Sequence, residues 1–205
     1  MKHWKWAVLG AAVLLIGILR MDRAVPANGW GLSFQDPGTA PAGPVSQEKL
    51  GELGGAYLDP DGGKVLYLTF DAGYENGYTD KILDTLKKKE VPAAFFLVGD
   101  YLERNPDLVR RMTEEGHIVG NHTMDHPDMS GLSGDAFAAQ LQGMEKLYEE
   151  ITEQTLPKFY RPPQGLYSEE NLKMAQKLGY QTVFWSLAYA DWDNNAQPDP
   201  DAAVE

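Results

Sequence analysis

The sequence predicts an α/β protein built on a parallel β-sheet. From residue 64 onward, short runs of β-branched and aromatic residues alternate with longer segments whose apolar residues recur at three- and four-residue spacing. Strands that alternate with helices in this way are typical of βαβ units, which place their strands parallel. With 43% hydrophobic residues in 205, the chain has enough apolar side chains for one domain preceded by a leader.

Glycine and proline divide this alternation into separate elements. The predicted strands cover residues 64–70, 93–98, 117–121, 159–161 and 181–187. The predicted helices cover residues 78–89, 105–115, 133–151 and 168–178. Five strands are fewer than a closed β/α barrel contains, so the sequence predicts either an open barrel or a fragment of a closed one.

We place the domain at residues 64–195, between flanking segments of different composition. Residues 28–63 are rich in Gly and Pro and are expected to form a linker or a wrapping arm, with one short helix near 47–53. Residues 196–205 form an acidic, proline-containing tail that is expected to be disordered.

Residues 1–27 are predicted to be a signal peptide or a short membrane anchor. An apolar run at residues 6–19 is flanked by Lys5 and Arg20, and it is shorter than the roughly 20 residues that span a bilayer. A buried core helix is the alternative, which the terminal position and the basic flanks disfavour. The protein is therefore expected to be exported, and to meet a membrane only through this leader.

The composition excludes several classes of function. The chain has no cysteine, which rules out disulfides, Cys-ligated zinc and thiol nucleophiles. Its formal net charge of −12 would repel phosphate backbones, so no nucleic acid partner is expected. Neutral or weakly charged substrates remain open.

Asp71 is the first candidate functional residue. It follows a strand-like apolar run and precedes a glycine turn at Gly73. Barrels and open α/β sheets present catalytic groups at the carboxyl ends of their strands, so Asp71 is a candidate general base. A carboxylate that only caps the turn is the alternative.

Two histidines form a second candidate site. His122 and His126 are four residues apart and can face one way to bind a divalent metal. A pair of surface histidines is the alternative. His117 lacks this spacing and is expected to fill its strand.

Three further candidates also follow predicted strands. Arg161 precedes two prolines that stiffen its loop, and a fixed guanidinium there can orient a carboxylate; a surface Arg in a turn is the alternative. Asp191 can orient an acid–base partner, and Trp192 can line a sugar-binding site. The alternative is that Asp191 caps a helix and Trp192 packs in the core. We expect these strand ends to converge around Asp71.

Four motifs, taken in this order, resemble those of the polysaccharide deacetylase family, which is carbohydrate esterase family 4 or the NodB-homology domain. They are TFDAG at residues 69–73, HTMDH at 122–126, RPPQG at 161–165 and DW at 191–192. Other stretches are similar to the delta-lactam-biosynthetic de-N-acetylases of that family, which act on N-acetylmuramic acid in spore-cortex peptidoglycan. These are NGWGL at 28–32, YENGYT at 74–79, GNH at 120–122 and GYQTVFWS at 179–186.

The resemblance implies a deformed (β/α)7-type barrel, incomplete here at its C-terminus, that hydrolyses an N-acetyl amide. Asp71 is then the base that activates water, Arg161 fixes Asp71, and Asp191 tunes the acid. His122 and His126 hold a divalent metal, zinc or similar, which polarises the carbonyl.

The same resemblance implies a set of substrate contacts. Tyr74, Gln164 and Trp192 belong to this set, and Trp192 lines the groove. The backbone N–H near Gln164 helps to bind the oxyanion of the tetrahedral intermediate.

The chain departs from the family pattern at two places. Ala72 stands where the family usually has a second Asp that ligates the metal, so water or Asp125 must fill that place and metal affinity is expected to be low. No histidine follows His126, whereas a late Leu-His pair supplies the acid that protonates the leaving amine in the family. General-acid help is worth about 10²–10⁴-fold, so this 205-residue chain is expected to be feeble or inactive.

The expected function is that of an exported, monomeric de-N-acetylase of the peptidoglycan glycan strand. Its expected target is N-acetylmuramic acid, on the route to muramic delta-lactam in spore cortex. The alternatives are a deacetylase of chitooligosaccharides or another polysaccharide, a glycan-binding module without catalysis, and a structural cell-surface protein anchored by its leader.

Overall fold

The computed structural model describes residues 28–36, 38–59, 61–188, 197 and 199. The strands in this part of the chain are β1 (Asn28–Gly29), β2 (Gly55–Ala56), β3 (Thr69–Ala72), β4 (Ala94–Leu97), β5 (Ile118–Asn121), β6 (Phe159–Tyr160), β7 (Leu166–Tyr167) and β8 (Gln181–Val183). The helices are α1 (Gln47–Glu52), α2 (Thr79–Lys89), α3 (Gly99–Arg104), α4 (Pro106–Glu114), α5 (Gly134–Thr152) and α6 (Glu169–Lys177).

Six of the strands form one sheet in the order β2–β8–β6–β5–β4–β3. Every neighbouring pair in it is parallel, which confirms the predicted α/β class. Strands β1 and β7 form a separate antiparallel pair. Within the described ranges β2 and β3 are the two edges of the sheet, so this part of the chain forms an open, barrel-like arrangement.

The helices largely follow the sequence prediction. The four predicted helices correspond to α2, α4, α5 and α6, and the short helix expected near residue 47 is α1. Gly116 and Gly179 have φ angles of 82° and 84°, a left-handed conformation that glycine adopts without strain and that ends a helix. Helix α3 was not predicted, because its six residues are too few to show a helical period.

The first predicted strand is displaced in the structure. The sequence predicted residues 64–70, but β3 covers Thr69–Ala72. Val65, Leu66 and Tyr67 are 63–82% exposed, and pairing with β4 begins where Ala94 N–H donates to the carbonyl of Leu68. The apolar run predicted a strand, but its residues pair only from the point where β4 lies alongside, and the sequence does not show where that is.

The buried side chains form three clusters, which contain Phe95, Trp30 and Tyr160 respectively. The largest fills the space between the sheet and helices α2, α4 and α5. The second joins residues before 63 to the end of β8, and β2 pairs with β8. The segment 28–63 therefore contributes to both the sheet and the core.

No helix in the described ranges is long and apolar enough to cross a membrane. The predicted leader at residues 1–27 lies outside those ranges, as does most of the predicted tail.

Candidate active site

The carboxyl ends of β3, β5 and β6 bring three candidate residues to one rim of the sheet. Asp71 lies in β3, while His122 and Arg161 come directly after β5 and β6. The ladder continues past the strands, because His122 N–H donates to the carbonyl of Leu97 and Arg161 N–H to that of Asn121, each at 3.0 Å. The predicted convergence around Asp71 is therefore confirmed for His122 and Arg161.

Asp71 and Arg161 form an ion pair across this rim. One guanidinium nitrogen, Nη1, donates to Oδ1 of Asp71 at 2.7 Å. The Arg161 side chain is 4% exposed, whereas that of Asp71 is 38% exposed. A charge-assisted hydrogen bond of this length is among the stronger ones in proteins, and it fixes the direction of the carboxylate.

The guanidinium of Arg161 is held by the backbone as well as by Asp71. Nε donates to the carbonyl of Val183 at 3.1 Å and Nη2 to that of Phe184 at 3.3 Å, while Nη1 also donates to Thr69 Oγ at 3.1 Å. Burial lowers the pKa of Arg161, an effect that the neighbouring Asp71 opposes. The group stays charged because an arginine titrates far above neutral pH.

The ring of Phe96 packs against the guanidinium of Arg161. The Arg161 Cζ lies 4.1 Å from the centroid of the Phe96 ring. Gly120 makes room for that ring, since a Cβ at Gly120 would lie 2.6 Å from ring carbons of Phe96. Phe96 was not among the residues predicted for the site, because in the sequence it looks like an ordinary strand residue.

His122 is buried and oriented by the backbone. Its Nδ1 lies 2.8 Å from the carbonyl oxygen of Arg161, which can only accept, so Nδ1 carries the proton. Nε2 therefore has the free lone pair, and it faces Oδ2 of Asp71 at 3.8 Å. Burial lowers the pKa of His122, and the charge of Asp71 opposes this.

His126 reaches the same rim through a strained turn. Its ring lies 4.9 Å from that of His122, and its φ is 54°. Thr123 also has a positive φ, 74°, although it is β-branched. Two hydrogen bonds hold the turn: Thr123 N–H donates to Asn121 Oδ1 at 2.9 Å, and His126 N–H donates to Thr123 Oγ at 3.0 Å.

Asn121 connects this turn to a buried polar network that the sequence did not reveal. Its amide group donates to the carbonyl of Leu141 at 2.9 Å and to the Tyr180 hydroxyl at 2.8 Å. Tyr180 in turn donates to Glu145 at 2.8 Å, and Lys158 pairs with the same carboxylate at 2.6 Å. The turn is thus tied to helix α5.

The two imidazoles fit a metal site with two protein ligands. A histidine that donates Nδ1–H to a carbonyl and presents Nε2 is the usual arrangement of a metal ligand. Within the described ranges, no group of three or more His, Cys, Asp or Glu is placed to hold a metal. Ala72 packs against the largest core cluster, and Asp125 is engaged with Gln140 at 2.7 Å.

The loop after Arg161 presents Gln164 at the surface. Gln164 is exposed and has a φ of 57°, whereas Pro162 and Pro163 are buried. Gly165, also at positive φ, donates its N–H to the carbonyl of Pro162 at 3.0 Å. The loop therefore holds one exposed residue in a left-handed conformation, three residues after Arg161.

Of the remaining predicted site residues, the structure describes Tyr74 but not Asp191 or Trp192. Tyr74 follows β3 and is 62% exposed. The next residue, Glu75, organises this loop by accepting hydrogen bonds from Gly77 N–H, Thr79 and the Tyr101 hydroxyl. Asp191 and Trp192 lie outside the described residues.

Comparison with known proteins gives a consistent result. The model of the polysaccharide deacetylase family matches residues 59–183. An uncharacterised 30.6 kDa protein of Geobacillus stearothermophilus is 47% identical over 169 residues, which cover 82% of this chain and 64% of that protein. The chain thus spans slightly less than two thirds of that relative.

Solved structures of relatives resemble this chain as well. The peptidoglycan-N-acetylmuramic acid deacetylase PdaA of Bacillus subtilis is 41% identical over 200 residues, 95% of this chain and 75% of that protein. The structure of this family 4 carbohydrate esterase superposes with a TM-score of 0.78, at 40% identity, over 83% of this chain and 74% of that one. A CE4-family pseudoenzyme of Bacillus anthracis superposes with a TM-score of 0.67, at 31% identity, over 73% of this chain and 52% of that one. On these matches, the chain belongs to the polysaccharide deacetylase family.

Proposed function

We propose that this chain is an N-deacetylase of peptidoglycan that acts on N-acetylmuramic acid, on the route to muramic delta-lactam in spore cortex. The observation that carries the proposal is the Asp71–Arg161 pair, at 2.7 Å, on the same rim as His122. The Bacillus subtilis relative is a peptidoglycan-N-acetylmuramic acid deacetylase, which supports the choice of sugar.

Asp71 is the proposed general base. Its Oδ1 is occupied by Arg161, which leaves Oδ2 on the side of the histidines to accept a proton. The oxygen of a water molecule attacks the carbonyl carbon of the N-acetyl group while its proton passes to Oδ2. Arg161 keeps the carboxylate aimed at that water.

The tetrahedral intermediate needs donors for its oxyanion and a proton for its leaving group. The backbone N–H near Gln164 is the proposed oxyanion donor, with Tyr74 and Trp192 as substrate contacts. The C–N bond then breaks to give acetate and a free amine, which takes up a proton. Asp191 is proposed to tune the acid, and within these 205 residues no histidine after His126 can supply it.

His122 and His126 are the residues that would hold a divalent metal, zinc or similar. When bound, such an ion polarises the carbonyl and lowers the pKa of bound water. Because the described residues offer two imidazoles and no third ligand, we propose that this site binds its metal weakly.

The proposed place of action is outside the cell membrane. Residues 6–19 and their basic flanks support export, and peptidoglycan as substrate agrees with it. We propose that the protein acts as a monomer, secreted or anchored by the leader. Size-exclusion chromatography with light scattering would contradict this proposal if it gave twice the 22.7 kDa chain mass.

The test is acetate release from two glycans, N-acetylmuramoyl peptidoglycan strands and chitooligosaccharides. We expect slow release from the first, and a further loss of about 10²–10⁴-fold in Asp71→Asn, because a general base contributes that much. The control is Asp100→Asn, an exposed carboxylate of α3 that forms an ion pair with Arg104. Equal release by wild type and Asp71→Asn would contradict the proposal, and release from chitooligosaccharides alone would reassign the substrate.

A glycan-binding module without catalysis is the second candidate. Ala72 favours it, as does the likeness to a pseudoenzyme. It predicts saturable glycan binding without acetate release, and equal binding by wild type and Asp71→Asn.

A further inference from the structure

The N-terminal arm contacts the loop that carries Gln164, although it precedes the part of the chain matched to the family. That match starts at residue 59, and the arm begins with β1 at Asn28. Strand β1 pairs with β7, which directly follows Gly165. The arm thus lies along the C-terminal side of the loop.

Trp30 is the anchor of this arm. It is 7% exposed, and its ring stacks on Phe184 with centroids 4.2 Å apart and planes at 18°. Its indole N–H donates to the carbonyl of Trp185 at 3.0 Å, and its backbone N–H donates to the carbonyl of Gly165 at 2.9 Å. One residue therefore joins the end of β8 to the loop.

Gly165 is enclosed between two tryptophans. Its φ is +67°, and a Cβ there would lie 2.6 Å from the Trp185 ring and 3.0 Å from Trp30 Cβ. Gln164, one residue earlier, has a φ of 57°. A non-glycine residue keeps such a conformation only where its surroundings impose it.

We propose that Trp30 is a positioning residue for the deacetylation: it fixes the Gly165 peptide and thereby the left-handed backbone of Gln164 that presents an N–H to the oxyanion. The inference rests on the proposed function for its catalytic consequence, but not for its structural part. Phe184 and Trp185 complete the link, because Arg161 Nη2 donates to the carbonyl of Phe184. The segment of Phe184 and Trp185 therefore supports both Arg161, which holds the base, and the loop that carries Gln164.

The test compares Trp30→Ala and Trp30→Phe in the full chain by hydrogen exchange and by kinetics. In Trp30→Ala, exchange of the amides at residues 164–167 should become at least about tenfold faster, and kcat should fall by about 10²-fold with KM changed by less than about threefold. Trp30→Phe keeps a ring on Phe184 and should recover most of both values. The control is Leu156→Ala, a buried residue that belongs to the largest core cluster and not to the cluster that contains Trp30.

Two results would overturn the inference. One is unchanged exchange at 164–167 in Trp30→Ala; the other is the same acceleration in Leu156→Ala, which would mean general loss of stability. If the wild-type chain releases no acetate, the proposed function fails, and the exchange measurement still decides whether Trp30 fixes the loop.

Discussion

The carboxylate–guanidinium half of the site is built more rigidly than the histidine half. Arg161 is buried and bonded to two carbonyls, a hydroxyl and Asp71. In the other half His122 is buried, but His126 is exposed at the end of a turn with two positive φ angles. The fold itself therefore orients the base, whereas the geometry of the imidazole pair depends on a turn held by side chains.

The largest expected effect comes from removing the guanidinium. Arg161→Met fills most of the volume on Phe96 but leaves the carbonyls of Val183 and Phe184 without a donor and Asp71 without a partner. We expect a loss of about 3 kcal/mol in the free energy of unfolding, because buried polar groups are left unpaired. Urea denaturation measures the free energy of unfolding. A loss below about 1 kcal/mol would show that the carboxylate–guanidinium half is no more rigid than the histidine half.

The histidine half should respond unequally to its two members. His122→Ala removes a buried ring and a hydrogen bond to Arg161, so we expect a loss of about 2 kcal/mol. His126→Ala changes an exposed side chain and should cost less than about 0.5 kcal/mol. Both should weaken binding of added Zn²⁺ in titration calorimetry. Equal stability losses in the two variants, or an unchanged Zn²⁺ affinity in both, would contradict these roles of His122 and His126.

Much of this site could be predicted from the sequence, because strand ends in a parallel sheet meet at one rim. Asp71, His122 and Arg161 were expected there for that reason, and helix stops at Gly116 and Gly179 were visible as single residues. Trp30 could not be placed, since the partner of its indole is 155 residues away. The run before Asp71 was also misleading, because exposed apolar residues look like the start of a strand.

The polar network behind the turn gives a smaller effect with a matched control. Tyr180→Phe removes bonds to both Asn121 and the charged Glu145, so we expect a loss of about 1.5 kcal/mol and weaker Zn²⁺ binding. Tyr148→Phe removes one bond, to Thr113, and should cost about 1 kcal/mol without affecting Zn²⁺. Equal Zn²⁺ affinities in the two variants would show that the network does not shape the turn.

A further effect is a pH dependence of stability that arises outside both halves of the site. Burial lowers the pKa of His117, with Glu115 opposing and Arg111 adding to the effect, and Ala93 N–H donates to its neutral Nδ1 at 3.2 Å. In the unfolded chain His117 takes up a proton below about pH 6.5, whereas in the folded chain it does so only at lower pH. The contribution of neutral His117 to the free energy of unfolding is therefore complete above about pH 6.5, and it is lost as the pH falls toward the lower pKa of the folded state.

His117→Gln should reduce the loss of stability between pH 7 and 5 relative to wild type, because the substituted side chain takes up no proton. Unfolding free energies at the two pH values, for both proteins, measure it. An identical pH dependence in the variant would mean that carboxylates elsewhere account for the whole slope.

The most direct test of the central claim, that Asp71 held by Arg161 activates water, is the hydrolysis of two acetyl substrates by one protein. An activated phenyl acetate has a leaving group that departs without a proton, whereas the N-acetyl amide needs one. We predict that the wild-type chain hydrolyses the ester, that it hydrolyses the amide far more slowly, and that Asp71→Asn loses the ester activity while Asp100→Asn keeps it. Ester hydrolysis that survives in Asp71→Asn would contradict the claim.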